Sequence, residues 1–163
     1  MNKIDKALAF TLKWEGGYVD NPLDKGGITN YGISQRHYPN LDIKNLTLEK
    51  VKEIYECHYW TRAGCPWMKD EKLAIVAFDT AVNCGVGFVT EALKTCNTVD
   101  ELLEARKQRY FSIITKNPTQ RAFRKGWSNR VNDLAELVGS PVRWVVEDTK
   151  DNVDKPKVNN NKK

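Results

Sequence analysis

One carboxylate, Glu15, directly follows a predicted amphipathic helix and precedes two glycines. Over residues 3–14 the apolar side chains Ile4, Leu8 and Leu12 recur at helical spacing, and the same spacing puts Glu15 at the end of their stripe. A carboxyl group in such a position is desolvated by apolar neighbours and lies at the negative end of the helix dipole, and both effects favour its protonated form. Such a group can donate a proton near neutral pH.

Proton donation to a leaving oxygen is the step that glycoside hydrolysis requires, and a carboxylic acid with a pKa of roughly 6 suits it. Residues 15–33 contain five glycines and three carboxylates. The glycines let the backbone approach a bulky substrate closely, while Tyr18 and Tyr31 can stack on sugar faces. The alternative interpretation is that Glu15 is a solvated helix-end residue beside an ordinary glycine-rich turn.

The segment from Glu15 onward resembles the Glu-Gly-Gly-Tyr signature of the phage and prophage muramidases of glycoside hydrolase family 108. In that family an Asp-Pro-x-Asp-x-Gly-Gly-x-Thr-x-x-Gly-Ile segment follows the signature. Here Asn21 is inserted after Asp20, so Asp24 fits the pattern better than Asp20 does. The residues in the corresponding places are Asp20, Pro22, Asp24, Gly26, Gly27, Thr29, Gly32 and Ile33.

The resemblance continues into the second half of the chain and spans about residues 5–139. Residues 78–87 look like the Asn-x-Gly helix end of the family, and Arg106 with Tyr110 fits its Arg-x-x-x-Tyr segment. Residues 126–131 fit its Gly-Trp-x-x-Arg segment. We therefore expect a mainly α, lysozyme-like fold with a small glycine-rich loop or β-hairpin region.

The resemblance implies an endolysin-type N-acetylmuramidase that needs no cofactor and uses Glu15 as its essential acid. The bond to be cleaved is the β-1,4 link between N-acetylmuramic acid and N-acetylglucosamine in peptidoglycan. A lytic transglycosylase and a non-catalytic peptidoglycan-binding module are the alternatives. A nucleic-acid-binding protein is disfavoured because the arginines are dispersed and no recognised motif is present.

The second functional group of the site stays open between two interpretations. Asp20 or Asp24 can orient a water molecule as a base, or can hold the glycine-rich turn by accepting backbone N–H bonds. Thr29 is expected to brace Glu15 or the turn. Asn83 can donate its amide to an N-acetyl carbonyl of the substrate, or can serve as a helix C-cap.

The other aromatic, basic and histidine side chains are interpreted as structural. We expect Trp60, Trp67, Trp127 and Trp144 in the core rather than at sugar platforms. Arg106 and Arg130 are expected to brace buried faces, and His58 to be a satisfied core histidine on the buried side of its helix. The four cysteines are expected to be reduced, partly buried thiols, and no ligand spacing indicates a zinc site.

Cap signals and apolar spacing predict the helices that must position these groups. Thr47 is the expected N-cap of a helix whose buried side runs from Leu48 to Tyr59, and Asp70 the expected N-cap of a central helix with an apolar run at 73–78. A shorter helix is predicted at about 88–96. The last two predicted helices are a long one opened by a Thr98–Glu101 capping box and closed by Asn117-Pro118, and a final one at about 119–138 that buries Phe123, Trp127, Val131, Leu134 and Val138.

We expect a single domain over residues 1–146, followed by a disordered polar tail at 147–163. A family-type catalytic part (about 5–70) and a peptidoglycan-binding part (about 71–139) are expected to pack as one globule. No membrane span or signal peptide is recognisable, so we expect a protein that is made in the cytoplasm and acts on the wall in the periplasm. We also expect it to be a monomer. Its partners would be glycan strands and a holin or other export route. The net charge of +5 favours anionic surroundings.

Overall fold

Two helices form the framework that carries Glu15. Helix α1, Lys3–Glu15, packs against helix α3, Glu71–Cys84, and α3 is buried along residues 74–81. Asp70 caps α3 as predicted, because its side chain accepts hydrogen bonds from the backbone N–H groups of Lys72 and Leu73. The prediction of a central helix surrounded by apolar neighbours is confirmed.

The computed structural model describes residues 3–20 and 27–146. These residues divide into two compact units, one ending at Val86 and the other beginning at Gly87, and each unit is described by itself. The expected single domain stays a prediction, and the predicted tail at 147–163 lies outside the described residues. Helices dominate both units, so the predicted mainly α, lysozyme-like fold class is confirmed.

A three-stranded antiparallel sheet follows α1, where the sequence predicts turns and a hairpin. Its strands, in spatial order, are β1 (Val19–Asp20), β2 (Ile28–Asn30) and β3 (Ile33–Ser34). Asn30 pairs with Ile33, so that only Tyr31 and Gly32 connect β2 to β3. Their φ angles are 54° and 78°, the pattern of a type I′ hairpin turn.

Helix α2, Leu48–Tyr55, begins at the predicted cap, where the Thr47 hydroxyl accepts a hydrogen bond from the Lys50 N–H. The α-helix then widens into a π-helical turn at Glu56–Trp60. Because a π turn adds a residue to the helical repeat, it changes which side chains face inward. The prediction that His58 is buried is therefore wrong: this side chain lies in the π turn, is exposed, and packs edge-on against Tyr38 at 5.9 Å between ring centroids. The prediction for Leu48, which lies in the first turn of α2 before the π turn, is also wrong, since this side chain is 62% exposed.

The second unit contains the remaining helices, α4 (from its second residue onward), α5 and α6. The predicted capping box at the start of α5 is confirmed, with reciprocal hydrogen bonds between Thr98 and Glu101. Asn117 ends α5 as predicted, but Pro118–Phe123 is 3-10 helix, so the final α-helix begins later than expected. Phe123 is therefore 54% exposed rather than buried. The bounds are Val86–Ala92 for α4, Val99–Lys116 for α5 and Arg124–Leu137 for α6.

An aromatic stack holds the second unit together. The Tyr110 ring lies between those of Trp127 and Trp144, at centroid distances of 4.6 and 5.6 Å, and its hydroxyl accepts a hydrogen bond from the buried Arg106. Arg130 is buried as well, as predicted. Trp60 and Trp144 are core residues as expected, and Trp127 is half-buried.

The prediction for Trp67 is wrong, since this side chain is 73% exposed. Trp67 ends a short 3-10 helix, Cys65–Trp67, in which the buried side chain is Cys65. Among the residues that the structure describes, no helix is both long and apolar enough to cross a membrane.

The contact between α1 and α3 includes one buried polar pair. The Thr11 hydroxyl, one helical turn before Glu15, donates a hydrogen bond to Asp79 Oδ1 at 2.8 Å, and both residues are fully buried. A buried acceptor that loses its donor keeps its desolvation cost without compensation. The pair therefore fixes the register of α1 on α3 and, through it, the position of Glu15.

Replacement of Thr11 by valine removes this donor without changing the shape of the side chain. We expect Thr11→Val to lower the free energy of unfolding by about 1–3 kcal/mol, measured by urea denaturation. Thr115→Val is the matched control, since the exposed Thr115 hydroxyl bonds to the Phe111 carbonyl of its own helix at 2.9 Å. A control loss as large as that of Thr11→Val would contradict this account.

Candidate active site

Glu15 is the last residue of α1 and is half-buried. The helix stops after it because Gly16 adopts a left-handed conformation, with φ of 83°, and its N–H bonds back to the Leu12 carbonyl at 3.1 Å. The carboxyl group therefore stands where the chain turns away from the helix axis. The sequence prediction of a helix-end carboxylate that is partly removed from solvent is confirmed.

The backbone of Gly32 lies directly beside the Glu15 carboxyl group. A Cβ atom built on Gly32 would lie 2.6 Å from Glu15 Oε1 and 3.0 Å from Glu15 Cβ. The same Cβ would lie 2.6 Å from the Tyr55 hydroxyl oxygen. Real Cβ atoms essentially never approach other atoms so closely, so this position accepts only glycine while Glu15 and Tyr55 keep their places.

Tyr55, the last residue of α2, connects that helix to the hairpin turn. Its hydroxyl group donates a hydrogen bond of 2.6 Å to the backbone carbonyl of Tyr31. Its ring is buried and packs edge-on against Phe78 of α3, at 6.1 Å between centroids. The side chain thus joins the central helix to the turn that contacts Glu15.

Tyr59 adds a second phenol to this region. Burial raises its pKa, and the negative charge of Glu15 raises it further, while Arg62 acts in the opposite direction. The ring of Tyr59 lies 5.6 Å from that of Tyr55. Glu15 therefore lies close enough to Tyr59 to affect it electrostatically, and the raised pKa keeps the Tyr59 hydroxyl protonated at ordinary pH.

The side chain of Asn30 joins the hairpin to a later segment of the chain. Its buried side chain donates to the carbonyl of Ile43 at 3.0 Å and to that of Lys44 at 3.4 Å. Both acceptors belong to a short 3-10 helix, Ile43–Asn45. The residue just before the Tyr31–Gly32 turn is thereby tied to a part of the chain well beyond the hairpin.

The structure places the backbone of one predicted residue beside Glu15 and describes two others in the segment that follows α1. The Tyr31 backbone is part of the turn beside Glu15, and its side chain is half-buried. Tyr18 follows closely in the chain and is 44% exposed, so its ring is accessible. Thr29 is half-buried on β2, in register with Val19.

The other predicted residues are placed differently or are not described. Asp20 is exposed on β1, opposite Ile28. Asp24 lies outside the described residues. Asn83 is half-buried in the last turn of α3, but Gly85 takes the C-cap position there, with its N–H bonded to the Ala81 carbonyl. The cap interpretation of Asn83 is therefore wrong, and its role toward a substrate stays a prediction.

Sequence reasoning assigned Tyr55 and Tyr59 to the buried side of a helix and missed their place beside Glu15. Their spacing of four residues does put both on one helix face. Nothing in the sequence indicates that this face meets the hairpin turn. The one available signal is a pair of tyrosines on a predicted face whose other members are aliphatic residues and His58.

Cysteines and other titratable groups also lie away from Glu15 in the described part of the chain. Within residues 3–20 and 27–146, no group of three or more His, Cys, Asp or Glu side chains is placed to hold a metal ion. All four cysteines are free thiols, as predicted, although Cys57 is exposed, and burial raises the pKa of Cys65 to about 12. An open depression of about 420 Å³ on α2 is lined by Glu49, Glu53 and Glu56 together with Lys52, Cys57 and Thr61, and it does not include Glu15.

A mainly α fold with a half-buried carboxyl group at a helix end, beside a glycine-rich turn, is an arrangement suited to a glycoside hydrolase. Residues 8–85 match the family model of glycosyl hydrolase 108. The predicted resemblance to this family is confirmed over residues 8–85. The match ends before Arg106 and the later segments, where the resemblance stays a prediction.

The chain is also similar to a solved structure, that of Brucella abortus SagA. The two share 22% sequence identity with a TM-score of 0.66, over 83% of this chain and 92% of that one. This likeness shows a common fold. A comparison with curated proteins found no match.

The contact between Gly32 and Glu15 is testable with alanine. We expect Gly32→Ala to lower glycan hydrolysis by roughly a hundredfold, because the new methyl group must displace the Glu15 carboxyl group by about an ångström. Gly64→Ala is the matched control: Gly64 has a similar φ of 81°, and nothing lies within 4 Å of an added Cβ. Both variants have a similar backbone strain of about 1 kcal/mol. Gly32→Ala must in addition displace its neighbours, so its unfolding free energy should fall by at least as much as that of the control. Equal hydrolysis rates in the two variants would show that the Gly32 contact does not matter.

Proposed function

We propose that this glycoside hydrolase is an N-acetylmuramidase that cleaves the β-1,4 bond between N-acetylmuramic acid and N-acetylglucosamine in peptidoglycan. The single observation that supports this most is the position of Glu15, half-buried at a helix end and in contact with Gly32. The family match supports the reaction class. The resemblance of the Glu15 segment to muramidase sequences supports the choice of substrate.

In the proposed reaction the protonated Glu15 carboxyl group donates its proton to the glycosidic oxygen as the bond to the muramic acid C1 breaks. Positive charge develops on the sugar ring, and a water molecule adds to C1 and gives up a proton to a base. Each event consumes one water molecule and produces two free sugar ends. Asp20 and Asp24 are the candidates for the base.

Aromatic and amide side chains would bind the glycan. Tyr18 and Tyr31 can stack on sugar faces, since one is exposed and the other half-buried next to Glu15. Asn83 can donate its amide group to an N-acetyl carbonyl. Sugar rings held in this way would present the glycosidic oxygen to the acid in a fixed orientation.

We further propose an endolysin role, in which the protein acts as a monomer on the wall in the periplasm and reaches it through a holin or another export route. The net charge of +5 supports residence on anionic wall polymers. Long-range attraction of this kind raises the rate of encounter more than it changes the chemistry. Hydrolysis of wall glycans would then weaken the cell envelope.

Glu15→Gln tests the acid directly. The amide has nearly the same shape as the carboxyl group but cannot donate a proton in its place, so we expect an unchanged melting temperature and a loss of at least a hundredfold in hydrolysis. The assay is turbidity loss of purified peptidoglycan, with product masses recorded. Glu91→Gln, at an exposed glutamate paired with Lys94, is the control and should keep full activity.

Product masses decide between the proposed function and its alternatives. Products with reducing muramic acid ends support a hydrolase. Products with anhydro-muramic ends, each lighter than the corresponding reducing product by the elements of one water molecule, would identify a lytic transglycosylase. A wild-type protein that binds peptidoglycan without releasing any fragment would be a binding module. Full hydrolysis by Glu15→Gln would remove Glu15 from the reaction.

The second carboxylate is tested by parallel substitutions. We expect Asp24→Ala to lower hydrolysis and the melting temperature together, because this aspartate either positions water or holds the turn. Asp20→Ala, at an exposed strand residue, should leave the melting temperature unchanged. The hydrolysis rate of Asp20→Ala then tests whether Asp20 is the base, since a loss comparable to that of Glu15→Gln assigns the base to Asp20. An unchanged hydrolysis rate for Asp24→Ala would show that Asp24 has no role in the reaction.

A further inference from the structure

We propose that Tyr55 is a positioning residue for Glu15, acting through the strained Tyr31–Gly32 turn rather than by touching the substrate. The inference rests on the proposed role of Glu15 as the acid. It assigns to a buried core tyrosine a function in the orientation of the carboxyl group. Three features of the structure support it.

The first feature is the backbone strain at Tyr31. A φ of 54° is uncommon for any residue other than glycine, and a bulky side chain in this conformation costs about 1–3 kcal/mol. Type I′ turns favour Asn-Gly or Asp-Gly at their two central positions, whereas this turn has Tyr-Gly. Other contacts must therefore hold the turn in its observed shape.

The second feature is the hydrogen bond that supplies such a contact. The Tyr55 hydroxyl donates to the Tyr31 carbonyl at 2.6 Å, a short bond to the strained residue itself. Tyr55 is 3% exposed, so water does not readily replace this bond. Its ring is held in turn by Phe78 and Tyr59, which leaves the hydroxyl little freedom to move.

The third feature is the close approach of the turn to the acid. Glu15 Oε1 and the Tyr55 oxygen each lie 2.6 Å from the point where a Cβ of Gly32 would stand. A shift of the turn by a fraction of an ångström therefore changes the space available to the Glu15 carboxyl group. Phe78 of α3 packs against the Tyr55 ring, the Tyr55 hydroxyl bonds to the turn, and the turn contacts Glu15.

Tyr55→Phe removes the hydroxyl and keeps the ring. We expect kcat on peptidoglycan fragments to fall roughly ten- to a hundredfold, because misplacement of the acid by about an ångström has an effect of this size. KM should change by less than about twofold, since only 3% of the Tyr55 surface is exposed and available to a glycan. Tyr38→Phe is the matched control, a half-buried tyrosine of the same unit that packs on His58, and it should retain kcat.

Relief of the turn strain provides a readout that a packing role would not move. Tyr31→Asn gives the turn the Asn-Gly sequence that its geometry favours, so the turn should hold without the Tyr55 bond. In the Tyr31→Asn background, Tyr55→Phe should therefore lower kcat by less than about threefold. An equal loss in both backgrounds would overturn the proposal. If Tyr55→Phe alone does not fold, recovery of folding in the double variant supports the proposal, and failure to recover refutes it.

A substrate with an activated leaving group links the effect to the acid. The 4-nitrophenyl β-glycoside of the wall disaccharide needs little protonation of its leaving oxygen, so Glu15→Gln should lose far less activity on it. If Tyr55 acts through the acid, the loss in Tyr55→Phe should shrink on this substrate in parallel. An undiminished loss contradicts the proposal. Absence of any wild-type cleavage of peptidoglycan would instead refute the proposed function, so the two failures are distinguishable.

Discussion

The structure of the candidate site depends on one close contact, in which the backbone of a hairpin turn lies against the carboxyl group that ends the first helix. Position 32 accepts only glycine while Glu15 and Tyr55 keep their places, because a Cβ there would fall 2.6 Å from Glu15 Oε1 and from the Tyr55 hydroxyl oxygen. The contact limits the orientations of the carboxyl group and shields one side of it from water. The proposed acid role requires an oriented carboxyl group, and this contact places the Gly32 backbone against one side of it.

The same contact sets requirements on the elements around it. Helix α1 must keep its register on α3, which the buried Thr11–Asp79 hydrogen bond enforces. The hairpin must keep its position relative to the 3-10 helix at Ile43–Asn45, and the hydrogen bonds from Asn30 to the carbonyl groups of Ile43 and Lys44 hold it there. Each of these pairs joins residues that are distant in the chain, and each loses its compensation for buried polar groups if the partner moves. The precision at Glu15 is therefore a property of the whole first unit.

Local signals were sufficient where the physics is local. Helix caps such as Asp70 and the Thr98–Glu101 capping box involve residues two or three positions apart, and the structure confirms them. Predictions of which helix face is buried were less reliable. The π turn at Glu56–Trp60 exposes His58, and the 3-10 segment before α6 exposes Phe123, because a regular repeat of 3.6 residues no longer applies in either place.

The sequence by itself indicated the reaction class and made Glu15 the candidate acid, since a carboxylate at the end of an apolar stripe, followed by a glycine-rich signature, is visible in the order of residues. It also determined the mainly α fold, because amphipathic periodicity and caps depend on near neighbours. Only the tertiary structure decided that Tyr55 and Tyr59 belong beside Glu15, and that Gly32 rather than another glycine must stay bare. The physical reason is that these contacts join residues from three separate elements, and their distances follow from how the elements pack rather than from spacing along the chain.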